Sequence, residues 1–432
     1  MGTRDLGAYV RTILRSPIAM VLTAFLVRLA TIKAAGAITY IAKPGSHKTF
    51  GWAVGRIARS VVNGQGFSLS SYTGPTAFSA PAFIWLLAGL FKLFGVYTWG
   101  AAVAVLGLNA LFSALTCLTV FHIARKAFGD RVAVGSGWLW ALSGASLALV
   151  GSVTDAALTT LLFTFLFWIT MNFGQGPQGL SRWLGYGLLW GALALLNPAP
   201  LSLLPFFLVW LWWKHRQRGF DSSLGIGVAL LALAVTITPW LVRNYLVFNR
   251  FVFLRSAYPL ALFAGNNPGS LYPDPTQDRE LAKIAAVGEL AYMAEYQRAA
   301  VGFIKREPIT YVRKSLKRVA VWWAGFVWTA KPRGWLGNVG LAFYRFLPPL
   351  SFLGMAFAIR KRVDASVPLL AVLLVFPASY YLSEVLDPPR FRLPIEPLIT
   401  ILAVYACTFA LEAYKSRKRL IKPVPASESL GV

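Results

Sequence analysis

Apolar runs long enough to cross a bilayer alternate with short basic segments along most of this chain, and that alternation predicts its architecture. The first run, Pro17 to Ala42, follows Arg4, Arg11 and Arg15, so it is expected to start in the cytoplasm and deliver residues 43–78 to the far side. It is too long for a signal peptide and lacks a small-residue cleavage site, so it should remain as the first span. Further crossings are expected near 101–121, 132–150, 156–173, 182–196, 199–213, 223–242, 337–359, 366–384 and 393–414. The basic groups at 214–218, 360–362 and 415–419 then fall inside, as the positive-inside rule requires. The prediction is an all-α polytopic membrane protein of about ten transmembrane helices, with both termini cytoplasmic.

The segments between spans are unequal. Pro81 to Tyr97 is apolar but short and interrupted by Lys92. If it crossed, His122, Arg125, Lys126 and Arg131 would be extracytoplasmic, so it reads as an interfacial or re-entrant helix. Two outer loops result, 43–97 and 243–336. Phe50 to Val62, with Trp52, Ile57 and Val61 set against Arg56 and Arg59, predicts an amphipathic helix lying on the membrane. A second surface helix is expected over 278–305, and Arg313, Lys314, Lys317 and Arg318 fall outside, where long translocated loops are largely exempt from the charge rule. Residues 1–422 form a single domain in this reading, and 423–432 a disordered tail.

Composition narrows the partners. Of 432 residues 57% are hydrophobic and 13% charged, with Lys and Arg outnumbering Asp and Glu by 42 to 16. Because the basic residues cluster between apolar runs, that surplus suits cytoplasmic loops and membrane lipid; no nucleic-acid motif is present and no nucleic-acid partner is expected. Cys117 and Cys407 both sit inside apolar segments, so neither a disulfide framework nor a cysteine metal site is expected, and no metal or other cofactor is required.

Carboxylates are scarce enough to be informative. Between Met1 and Phe220 only Asp5, Asp130 and Asp155 occur, and Asp155 alone combines isolation with a position at the membrane surface. It is either a helix cap before Ala156 or a catalytic group. Arg390 and Arg392 enter the last span through a proline-rich segment, a geometry suited to phosphate; the other reading is an Arg392–Glu396 pair at i, i+4. Lys43, His47 and Lys48 are either a solvated charge run or further substrate-binding residues. Arg28, near the middle of the first span, needs an internal polar partner.

Several segments taken together resemble a known family. Gly64-Gln65-Gly66-Phe67-Ser68, Gly74-Pro75-Thr76-Ala77, Lys92-Leu93-Phe94-Gly95, Pro239 to Tyr245, Gly265-Asn266-Asn267-Pro268 and Arg390 to Pro397 follow, over residues 16–414, the order seen in GT-C membrane glycosyltransferases. The chain is most similar to bacterial members of the dolichyl-phosphate-mannose-protein mannosyltransferase family (family 39). The resemblance implies a GT-C bundle in the bacterial inner membrane with an extracytoplasmic active face. It implies a polyprenyl-phosphate-linked sugar as donor and a lipid, glycan or protein as acceptor. It also implies a carboxylate in the first outer loop, where this chain has Ala53. With no acid in that loop, the residues themselves point to Asp155 as base or acceptor-positioning group, with Arg390 and Arg392, and more weakly Lys43, His47 and Lys48, at the donor. A non-catalytic transporter or flippase of lipid-linked sugars is the alternative, since it would need the basic residues and no base.

Overall fold

The computed structural model describes residues 12–42, 49–269, 272–324, 334–383 and 388–421, and every regular element among them is helical. In chain order the first are α1 (Pro17–Ala34), α2 (Ala37–Ile41), α3 (Ala53–Val62), α4 (Pro81–Phe94), α5 (Trp99–Phe128), α6 (Asp130–Ala141) and α7 (Gly144–Leu149). Then come α8 (Ala156–Phe173), α9 (Leu180–Leu196), a 3-10 turn (Ala199–Leu203), α10 (Leu204–Gln217) and α11 (Ser223–Phe248). The large loop that the sequence assigns to the outside holds α12 (Tyr258–Gly265), α13 (Asp278–Val287), α14 (Glu289–Arg306) and α15 (Pro308–Ala324). The chain closes with α16 (Gly334–Arg360), α17 (Ser366–Val375), α18 (Ala378–Leu382), α19 (Pro388–Arg392), a 3-10 turn (Leu393–Ile395) and α20 (Glu396–Ile421).

This is a multi-pass membrane protein. Among the described residues seven helices are long and apolar enough to cross, and Pro81–Phe94, Leu180–Leu196 and Ser366–Leu382 are shorter apolar helices. The expected count of about ten is therefore reached only if short helices also cross. Of the expected spans, 132–150 is broken at Leu142-Ser143 into α6 and α7, and 199–213 is the 3-10 turn followed by α10.

Local chemistry explains where helices begin and meet. Ser16 Oγ accepts from the Ala19 N–H ahead of Pro17, and Thr98 Oγ1 accepts from the Ala101 N–H, so both helices start on a side-chain cap. Small residues let helices close tightly: a Cβ on Gly187 would collide with the Ala229 carbonyl, and one on Gly354 with that of Leu402. Arg28 finds the polar company it needs at the α6–α7 break. Its Nε donates to Ser113 Oγ (2.7 Å), and its terminal nitrogens donate to the carbonyls of Ala24, Ala141 and Trp140 and to Ser146 Oγ.

The core has two main parts. One is the membrane bundle around Phe163, Trp190 and Leu402. The other sits at the end of the bundle that the sequence assigns to the outside, where Phe50, Ile57, Phe83 and Phe91 pack with Leu281 and Tyr292 of the large loop. That second core corrects two expectations. Helix α3 does not lie open on the membrane, because Ala53, Gly55, Arg56, Ile57 and Ala58 are all buried against the protein. The predicted surface helix 278–305 is two helices, since Gly288 takes a positive φ of 82° between α13 and α14.

Candidate functional site

Asp155 holds the N-cap position of α8 but does not cap it with its side chain. Its backbone carbonyl closes the first helical turn to the Thr159 N–H, which leaves the carboxylate free to turn sideways. There Oδ2 accepts from Asn197 Nδ2 (3.0 Å) and from the Thr159 hydroxyl (3.3 Å), while Oδ1 accepts from an Arg390 guanidinium nitrogen at 3.2 Å. Asn197 is fixed in turn by its own Oδ1, which accepts from the Ala199 N–H at the turn after α9. The pair is partly open to solvent on both sides.

An aromatic stack supports the arginine. Phe391 stacks on Tyr380 at 5.2 Å, and Tyr380 stacks on Trp322 at 4.9 Å. Tyr380 lies within electrostatic reach of Arg390, Asp155 and Arg255. Arg255 is exposed and makes no side-chain hydrogen bond or ion pair with the described residues. The result is one carboxylate oriented by an amide, a hydroxyl and a guanidinium, with a second guanidinium close by. Such a site can accept a proton on one side and hold an anion on the other.

Arg392, assigned to the donor from sequence, is placed otherwise. Its Nε pairs with Glu396 at 2.5 Å, and its terminal nitrogens donate to the carbonyls of Trp322 (2.7 Å) and Tyr344 (2.9 Å). The guanidinium lies 3.2 Å from the Tyr344 ring centroid and has no exposed surface. With every nitrogen committed and no opening, it fastens α16 and α15 to α20, and the i, i+4 pair is the reading the structure supports. Lys43, His47 and Lys48 lie outside the described residues. Ala53 is placed with no exposure in the second core, so a carboxylate there would face apolar packing rather than a cavity.

The large loop supplies acids to the acid-free first loop, an arrangement sequence reading missed. Glu289, at the start of α14, accepts from Thr76 Oγ1, from the Ala77 N–H (2.9 Å) and from Ser256 Oγ (2.6 Å). Burial pushes its carboxyl above the usual range, against the pull of those donors and of Arg243. Asp274 Oδ1 accepts from the Trp52 indole N–H at 2.9 Å. Among the described residues no group of three or more His, Cys, Asp or Glu is arranged to hold a metal ion.

Comparison with known proteins agrees with the bundle. Residues 78–242 match the family described as Dolichyl-phosphate-mannose-protein mannosyltransferase, a segment that includes Asp155 and Asn197 but not Arg390. No curated protein matches the chain. Among solved structures, the oligosaccharyltransferase of Archaeoglobus fulgidus tethered to an acceptor peptide aligns at TM-score 0.50 and 15% identity, over 94% of this chain and 52% of that one. The same archaeal enzyme, AglB, with an inhibitory peptide and dolichol-phosphate aligns to the same extent, at TM-score 0.50, 15% identity and shares of 94% and 52%. ArnT from Cupriavidus metallidurans bound to undecaprenyl phosphate aligns at 18% identity over 97% and 81% of the two chains, with a TM-score of 0.39 that carries no weight. The chain thus spans about half the length of the archaeal enzyme and shares its GT-C fold. The family resemblance read from the sequence is borne out.

Proposed function

We propose that this chain transfers a sugar from a polyprenyl-phosphate-linked donor to an acceptor at the extracytoplasmic face of a bacterial inner membrane. The observation that carries the reading is the half-open Asp155–Arg390 pair, oriented by Asn197 at the end of the bundle that the sequence assigns to the outside. The matched family and the shared fold support it. In the proposed step, a hydroxyl or amine of the acceptor attacks the anomeric carbon and Asp155 takes its proton. The carbon–oxygen bond to phosphate breaks with inversion, and polyprenyl phosphate leaves with the electron pair. Arg390, with Arg255 beside it, stabilises the charge that develops on the leaving phosphate. Donor binding loosens the Asp155–Arg390 pair, because phosphate competes for the same guanidinium, and this frees the carboxylate to act as base.

The test is transfer by purified protein from a polyprenyl-phosphate sugar. Asp155→Asn should lower transfer by about 100-fold to 10,000-fold, the usual worth of a general base, while the thermal midpoint stays native. Equal transfer by the native protein and the Asp155→Asn variant would remove Asp155 from the mechanism. Native protein that binds the donor without consuming it would instead favour a transporter of lipid-linked sugars.

A further inference from the structure

Helix α15 has two unlike faces. On the inward one, Arg318 donates to Asn266 Oδ1 (2.8 Å) and to the Ser383 carbonyl, and Lys314 donates to the Asn267 carbonyl at 2.6 Å. The last turn is fastened to the bundle as well. The Tyr344 hydroxyl donates to the Trp322 carbonyl (2.9 Å), and the Trp323 indole donates to the Tyr381 hydroxyl (2.6 Å). Two of the four basic residues that the sequence assigns to the outside are therefore structural ties, and the C-terminal end of α15 is held to Tyr344, near the start of the candidate span Gly340–Arg360, and to Tyr381 in α18.

The opposite face is left uncovered by the described residues. Ile309, Val312 and Leu316, spaced by three and four residues, are 76%, 53% and 65% exposed. Arg306, Arg313 and Lys317 flank them, all exposed and none with an ion-pair or hydrogen-bond partner among the described residues. Single exposed apolar side chains are ordinary, but an aligned stripe bordered by unpaired cations matches a helix that lies in a lipid headgroup layer. We propose that this face of α15 rests on the outer leaflet, with Ile309, Val312 and Leu316 among the upper acyl chains and Arg306, Arg313 and Lys317 on anionic phospholipid phosphates. Charge complementarity selects the lipid class, and attachment to Tyr344, near the start of the candidate span Gly340–Arg360, and to Tyr381 in α18 puts the helix at the bilayer surface. Since the Trp322 carbonyl also accepts from Arg392, docking holds the segment that carries Arg390 at a constant height above the membrane.

The proposal is independent of the catalytic reading and is tested on the full chain in vesicles. In a Cys407→Ser background, nitroxides are attached at Val312→Cys and Leu316→Cys, with exposed Tyr72→Cys as the reference. The vesicles are phosphatidylcholine with or without phosphatidylglycerol, and collisions with oxygen and with a water-soluble nickel chelate are compared. Labels at 312 and 316 should favour oxygen, and the reference should favour nickel. Arg313→Gln and Lys317→Gln should each lower the docked-to-undocked ratio roughly five-fold in anionic vesicles, at about 1 kcal/mol per charge, and change little in phosphatidylcholine. Free nickel access at both positions overturns the proposal. An immobile label that neither reagent reaches also overturns it, because a protein surface would then cover the face. If Leu316→Cys misfolds, Ile309→Cys reports on the same stripe.

Discussion

Two arginines stand two residues apart on this chain, each facing one carboxylate, and they have opposite fates. Arg392 and Glu396 meet at 2.5 Å with side chains 0% and 2% exposed, whereas Arg390 and Asp155 meet at 3.2 Å with 33% and 16%. The first pair is local and sealed. The second joins segments 235 residues apart and stays reachable. Burial removes water as a competing partner, so the sealed ions depend on each other, while the half-open ions can exchange each other for a ligand. Exposure, more than residue type or nearness in sequence, thus separates a strut from a pair that a ligand can reach.

The largest effect should come from breaking the sealed pair. Arg392→Met leaves Glu396 buried without its cation, takes one donor from the Tyr344 carbonyl, and leaves the Trp322 carbonyl with the Tyr344 hydroxyl in place of two donors. Removing one member of a buried pair typically costs about 3 to 5 kcal/mol. The double variant Arg392→Met, Glu396→Leu should recover most of that loss, because no ion is then stranded. Denaturation in detergent measures both variants, and a single variant as stable as the native protein would end the description of Arg392 as a strut.

A smaller effect, on binding rather than stability, is expected at the open pair. Arg390→Ala should weaken polyprenyl-phosphate binding by about 1.5 to 3 kcal/mol, the range for hydrogen bonds to charged groups, with the thermal midpoint nearly unchanged. Direct titration of the lipid phosphate reads the first quantity. If stability falls and affinity does not, Arg390 resembles Arg392 and the contrast between them collapses.

How much of this could be read in advance follows from distance along the chain. The i, i+4 relation of Arg392 and Glu396 is visible in any helix, and the isolation of Asp155 among 220 residues marked it without a structure. Its partners were hidden, because no periodicity links residue 155 to 197 or 390. Glu289 was hidden for the same reason, serving Thr76 and Ala77 more than 200 residues away. The pattern of α3 was legible as two-faced. What covers the second face was not, since hydropathy cannot tell lipid from Phe91 and Tyr97, and the helix proved to be buried against protein. Arg392 was misassigned because a proline-rich, arginine-bearing entry to a span looks the same whether its guanidinium faces a cavity or a carbonyl.

The smallest effect extends the comparison to full exposure. Arg131 and Glu412 meet at 2.6 Å, nearly as close as the sealed pair, yet their side chains are 81% and 52% exposed. If separation set the strength of these pairs, this one would rival Arg392–Glu396 and exceed Asp155–Arg390. Dielectric screening predicts the reverse: solvent and salt weaken the attraction, and holding two long side chains together costs rotamer freedom, so exposed pairs contribute about 0 to 1 kcal/mol. Glu412→Gln should therefore shift stability by no more than that amount, and added salt should erase the shift. A loss comparable to that of Arg392→Met would show that exposure is the wrong variable for ordering the three pairs.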